Sequence, residues 1–245
     1  MSKLPIVFAP GLMCDHRLFD EQAAALGEER AISVADFSQD DAIDGMATQL
    51  LAGAPDQFYL AGLSMGGIVA FEVWRQAPTR VAGLALLNTT PFADSPARRS
   101  TRLSQIERVA EGALKTVVME ELKPNYLGAQ TKNDPALLNE IYSMADRLGP
   151  EVFERQSRAL MTRGDSATTL ATINCPTLII AGDEDEVCPP ELHEIMHQGV
   201  AGSTYRVVAE CGHLSTMEAP DRVTDLLRRH LTDIEKDERD DESQR

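Results

Sequence analysis

Apolar residues along this chain follow two alternating rhythms. Short, nearly continuous apolar runs occupy 4–9, 31–35, 58–61, 81–87, 177–181 and 205–208. Between them, apolar positions recur every three or four residues, at 16–26, 41–52, 65–76, 191–197 and 220–231. Runs such as Leu84-Ala85-Leu86-Leu87 and Thr177-Leu178-Ile179-Ile180 suit strands covered on both faces. The wider spacing suits helices buried along one stripe. Together they predict an α/β fold: a doubly wound, mostly parallel sheet of about six strands flanked by helices.

The alternation stops between about residues 93 and 169. Helical periodicity alone remains there, over 97–110, 114–122, 135–147 and 150–162, with Gly or Pro between the stretches. The expected organisation is therefore an α/β core of 1–92 and 170–232, interrupted by a helical lid at 93–169. Charge separates the same regions. Residues 93–168 carry 11 Lys/Arg and 11 Asp/Glu, so the whole net charge of −16 falls on the rest of the chain. Part of it lies in 233–245, which has seven acids and almost no apolar side chain; that tail is expected to be solvated and disordered, with no role in the fold.

The acidic balance argues against a nucleic-acid or anionic-membrane partner. No apolar run approaches the roughly 20 residues of a membrane-spanning helix. Lys3 is not followed by an apolar signal segment, and Cys14, Cys175, Cys188 and Cys211 lie far apart. The expectation is a cytoplasmic protein with reduced thiols. Nothing in the chain speaks to its oligomeric state.

Candidate chemistry begins at Gly62-Leu-Ser-Met-Gly-Gly67, where an apolar run passes directly into a helical pattern. A serine on a sharp strand-to-helix turn has strained dihedrals, and the residues two before and two after it must lack side chains. The turn lifts the Ser64 hydroxyl clear of the backbone and points the first helix amides at whatever it attacks. On its own the spacing also fits a plain glycine-rich loop.

A serine nucleophile needs a base, and the base an orienting acid. In a doubly wound sheet such groups collect at the carboxyl ends of strands. The run at 177–181 is followed by Gly182-Asp-Glu-Asp-Glu-Val-Cys-Pro189, and that at 205–208 by Glu210-Cys-Gly-His-Leu214. His213 is the candidate base; His16, His193, His197 and His230 lie within helical patterns. Asp185 is preferred as the acid, with Asp183 and Asp94 as alternatives. Oxyanion donors are expected from the amides of Met65 and of Leu12, the latter in the loop Ala9-Pro-Gly-Leu-Met13, where Gly11 permits a sharp turn.

With these segments assembled, the chain resembles the α/β-hydrolase superfamily in its lidded, single-domain esterase and lactonase branch. The resemblance rests on Phe8-Ala-Pro-Gly-Leu12, the elbow at 62–67, the acidic loop at 182–189 and Gly212-His-Leu-Ser-Thr-Met-Glu-Ala-Pro220. The family's acid lies three residues after a Gly and four before a Pro, which selects Asp185. Two departures stand out. The family's opening antiparallel hairpin is missing, and its common His-Gly in the oxyanion loop is Pro10-Gly11 here.

The resemblance implies a Ser64-His213-Asp185 triad that forms an acyl-enzyme from a small-molecule ester or lactone, without metal or organic cofactor. Ser at the elbow separates the chain from superfamily members that use Asp there. It does not separate ester or lactone hydrolysis from carbon–carbon bond hydrolysis in aromatic breakdown, nor from a ligand receptor on the same scaffold. Substrate contacts are sought at Met13, Tyr126 and Tyr142, and at Arg98 with Arg99 and Arg102, which could hold a substrate carboxylate or simply form an exposed basic helix face. Met119, Leu127, Met144, Phe153 and Met161 are read as lid core.

Overall fold

The computed structural model describes residues 3–243. Its strands are β1 Ile6–Ala9, β2 Ile32–Val34, β3 Phe58–Leu63, β4 Val81–Leu87, β5 Thr177–Gly182 and β6 Thr204–Val208. They form one six-stranded sheet in the order β2-β1-β3-β4-β5-β6, and every neighbouring pair is parallel. The apolar runs therefore mark the strands to within a residue or two.

Side-chain alternation along the central strands builds two cores. Val7, Leu60, Leu84, Leu86 and Ile179 face one side, where they meet helices Ile43–Gly53 and Met65–Gln76. Ile6, Phe8, Tyr59, Ala85, Leu178 and Ile180 face the other, against Leu18, Phe19 and Leu26 and the helix Pro220–Ser243. Both faces of β3 and β5 are buried, which is why their sequences lack polar alternation.

The order places β2 on one side of β1 and β3 on the other. The chain thus reverses its winding between β1 and β3, and loops leaving their carboxyl ends splay apart there into a crevice. Leu12 follows β1 and Ser64 follows β3, so the sequence places both at this switch point.

Between β4 and β5 the described residues form helices joined by loops, with no strand. Helix Pro96–Ala110 starts on Ser95, whose hydroxyl accepts from the Arg98 amide, with Pro96 filling the first position. Leu114–Leu122 forms a short α-turn passing into π-helix. The stretch Pro135–Thr162 begins on Asp134, which accepts from the amides of Ala136 and Leu137. It is two helices, as expected, separated at Gly149, whose φ of 81° and ψ of 176° are not helical and lead into Pro150. Phe153 and Leu160 join the first core, and Tyr126, Leu127 and Met144 the second.

One expectation is corrected. The last helix runs to Ser243, past the point where a structureless tail was expected. Its stripe of Val223, Leu227, Leu231 and Ile234 is buried at helical spacing, and Arg30 donates to Glu235 at 2.7 Å. Composition in 233–245 is dominated by acids, yet a single apolar residue at the right phase extends the buried stripe by a turn. The end of that tail, 244–245, lies outside the described residues.

Candidate active site

Ser64 lies between β3 and helix Met65–Gln76 with φ 56° and ψ −116°, a conformation costing on the order of 1–3 kcal/mol for a residue with a side chain. The glycines flanking it make the turn possible. A Cβ at Gly62 would lie 2.4 Å from the Gly66 carbonyl oxygen, and one at Gly66 only 1.8 Å from that of Ala9. The elbow is thus pressed against the loop that carries Leu12. The expected reason for Gly11 needs adjusting: the positive φ in that loop belongs to Met13, at 55°. A Cβ on Gly11 would sit 3.4 Å from that of Ser64, an ordinary van der Waals distance.

The loops after β5 and β6 meet in a similar way. A Cβ on Gly182 would come within 2.2 Å of the Gly212 carbonyl oxygen. Backbone-to-backbone contact between the two loops brings Asp185 and His213 together. His213 Nδ1 lies 3.0 and 2.9 Å from the two Asp185 carboxylate oxygens, and its Nε2 lies 2.9 Å from Ser64 Oγ. The alternatives lie elsewhere: Asp183 accepts from the Cys211 amide, and Asp94 pairs with arginines.

Asp185 is buried and fully engaged. One oxygen accepts from the amides of Val187 and Cys188, both at 2.9 Å, and the other from Asn88 Nδ2 at 3.0 Å. Burial alone would raise its pKa. The charge of His213 and its hydrogen bond, then the Cys188 amide and Asn88, outweigh that and hold the carboxyl below its ordinary value. Asn88, buried at a φ of 46°, also donates to the Gly212 carbonyl and accepts from the Ser215 hydroxyl. No motif marks it in the sequence, although it follows β4 directly, at the same sheet edge as the other groups.

A cavity of about 240 Å³ opens beside Ser64, lined by Leu12, Met65 and His213 and by residues of the helical insertion. Among the described residues the Leu12 amide finds no acceptor, while the Met13 amide donates to Gln156 Oε1 at 2.8 Å. Of the proposed substrate contacts, Arg98 and Tyr126 line the cavity, and the Tyr126 ring lies 5.4 Å from that of His213. Met13 is buried in the core beside it, and its amide ties the loop to Gln156. Tyr142 is on the outer side of the insertion: its hydroxyl donates to Asp146 and Lys115 sits over its ring. Helical spacing alone could not tell the inner from the outer face of a helix packed on only part of its girth. Arg99 is exposed, whereas Arg102 and the unforeseen Arg163 line the cavity.

The insertion is tied down around His213. The Tyr126 carbonyl accepts from the amides of His213, at 2.8 Å, and Leu214. Glu218 accepts from the amides of Gly128, Gly212 and Leu214 and from the Thr131 hydroxyl. Cys188 also borders the cavity, but burial and then the Asp185 charge push its thiol well above the ordinary range, so the hydroxyl of Ser64 has no thiolate competitor there. Among the described residues, no group of three or more His, Cys, Asp or Glu could hold a metal ion.

Residues 6–226 match the model of the Alpha/beta hydrolase family. The chain is 26% identical over 234 residues to 3-oxoadipate enol-lactonase 1 of Acinetobacter baylyi, covering 91% of this chain and 86% of that one. It is 28% identical over 187 residues to the pimeloyl-[acyl-carrier protein] methyl ester esterase of Serratia marcescens, covering 74% and 73%. Among solved structures, a thermophilic esterase from Thermogutta terrifontis with malate bound superposes with a TM-score of 0.87 at 30% identity, covering 95% of this chain and 91% of that chain. With the sheet order, the elbow and the match over nearly its whole length in agreement, the chain belongs to the alpha/beta hydrolase family.

Proposed function

We propose that this protein is a serine hydrolase that cleaves a small-molecule carboxylic ester or lactone through an acyl-enzyme. The observation that carries this reading is the hydrogen-bonded file from Asp185 through His213 to Ser64 Oγ, ending at the wall of an open cavity. The names of the Acinetobacter and Serratia relatives, a lactonase and a methyl ester esterase, support ester bonds as the target.

In this mechanism His213 Nε2 takes the Ser64 proton as Oγ attacks the carbonyl carbon. The oxyanion is held by the amides of Leu12 and Met65, the latter being the first amide of its helix and favoured by the helix dipole. His213 returns the proton to the leaving alcohol oxygen, which in a lactone stays tethered to the acyl group. Water, deprotonated by His213, then attacks the acyl carbon and releases Ser64 and a carboxylic acid. Asp185 keeps Nδ1 as the protonated nitrogen and stabilises the imidazolium formed in both halves.

The test is turnover of p-nitrophenyl acetate together with labelling by a fluorophosphonate. Wild type should label at Ser64 and turn over; Ser64→Ala should do neither while keeping its circular dichroism spectrum. Labelling at another residue, or turnover by Ser64→Ala, would overturn the assignment. A folded wild type that does not label would favour a receptor.

A further inference from the structure

We infer that the cavity beside Ser64 contains a second recognition site, formed by Arg102 and Arg98, for a carboxylate carried by the substrate. The inference rests on the ester- or lactone-hydrolase reading above and narrows its substrate class: half-esters of dicarboxylic acids, or lactones with a pendant carboxylate.

Three guanidinium groups, those of Arg98, Arg102 and Arg163, line this cavity around one buried carboxylate, Asp94. Arg163 is spent. It donates through Nη1 to the Leu160 carbonyl at 2.7 Å and through Nε and Nη2 to that of Phe92, and it lies 2.9 Å from Asp94. Arg102 is different. Its Nε donates to Asp94 at 2.6 Å, and among the described residues this is its only side-chain hydrogen bond, so both terminal amino groups are uncommitted there although the residue is only 7% exposed. Arg98 sits one turn earlier on the same helix, 3.6 Å from Asp94, with no side-chain hydrogen bond among the described residues.

Neither terminal amino group of Arg102 is among the buried polar atoms left without a partner, so both face the cavity and its water, which a ligand's oxygens could replace. Asp94 holds the group in place and cancels one of the three charges, which leaves an excess of positive charge in the wall. Two other acids line the cavity. Glu121 is engaged by Arg108 and Gln105, and Glu186 is exposed on the loop after β5. A planar carboxylate can accept two parallel bonds from one guanidinium and would satisfy the free amino groups of Arg102. A doubly charged phosphate would face Glu121 and Glu186 with more repulsion. The reacting carbonyl and this anion site lie in the same small cavity, so both must belong to one short molecule.

The proposal is tested with methyl hydrogen succinate, glutarate and adipate against the corresponding dimethyl esters. These pairs share a scissile bond and differ in the distal charge. For at least one chain length, wild type should favour the half-ester by about tenfold or more in kcat/KM, the size expected of a charged, partly buried hydrogen bond. Arg102→Gln and Arg98→Gln should each pull that ratio towards one, mainly by raising KM for the half-ester. Because Arg102 also holds a buried carboxylate, thermal unfolding of each variant is measured alongside, and the half-exposed Arg98 supplies the variant less coupled to folding. Equal or inverted preference at all three lengths, or a ratio unmoved in both folded variants, would overturn the carboxylate site. If wild type also failed to label with fluorophosphonate and hydrolysed none of the esters, the hydrolase reading itself would fall.

Discussion

At Ser64 a single residue holds a conformation that only its neighbours make tenable. The φ of 56° is an expense that a glycine would not incur. Ser64→Gly should therefore raise stability by about 1 kcal/mol, read as an increase in the urea midpoint, while abolishing ester turnover. The same logic explains which residues could be read from the sequence. Ser64, Asp185 and His213 announce themselves because each carries chemistry next to a strand end and within a spaced motif. Asn88, Glu218 and Arg163 were silent. Their importance lies in which oxygen or amide they meet, and asparagine, glutamate and arginine at such places usually face solvent.

At the scale of elements, tight contacts between loops decide whether the groups meet. Gly66→Ala would drive a methyl group into the Ala9 carbonyl, 1.8 Å away, and separate the elbow from the loop bearing Leu12. It is expected to lose about 3 kcal/mol or more in stability and most of its turnover. Gly53→Ala, at the end of helix Ile43–Gly53 where a Cβ meets nothing within 4 Å, should be neutral or slightly stabilising in the same thermal scan. The last helix offers a second test. Deleting 233–245 removes Ile234 from the core and Glu235 from Arg30. A loss of about 2–4 kcal/mol is expected from the cavity alone, whereas a tail without structure would be removed at no cost.

For the molecule as a whole, burial couples stability to pH. His193 is completely buried, its Nε2 accepting from the Thr89 amide and its Nδ1 directed at the Pro189 carbonyl. Burial lowers its pKa from 6.5 to about 4. Between those values the unfolded chain binds a proton that the folded chain refuses, so stability should be level above pH 6.5 and fall on acidification towards pH 4. The loss from this one residue between pH 7 and pH 5 is on the order of 1–2 kcal/mol. Urea midpoints at the two pH values check it: His193→Gln should start lower at pH 7, having lost its hydrogen bonds, and fall less. His230, also lowered to about 4 by burial, contributes to the wild-type slope but is common to both proteins.

Much of this protein follows from local pattern. Strand positions, the parallel winding, the helical insertion and the three side chains proposed as the triad are legible because periodicity and motif spacing record backbone geometry and burial on two faces. The insertion's inner surface is not legible in this way. Arg98, Arg99 and Arg102 read as one basic helix face, yet only the first and last meet the cavity, and Arg163 arrives there from the end of another helix some sixty residues later. Tyr142 and Tyr126 read alike, yet one lies outside and the other against His213. Helical phase restricts which residues can share a face, but the partner that covers the face comes from distant sequence. Packing of the insertion on the sheet sets that partner, and with it which donors are left for a substrate.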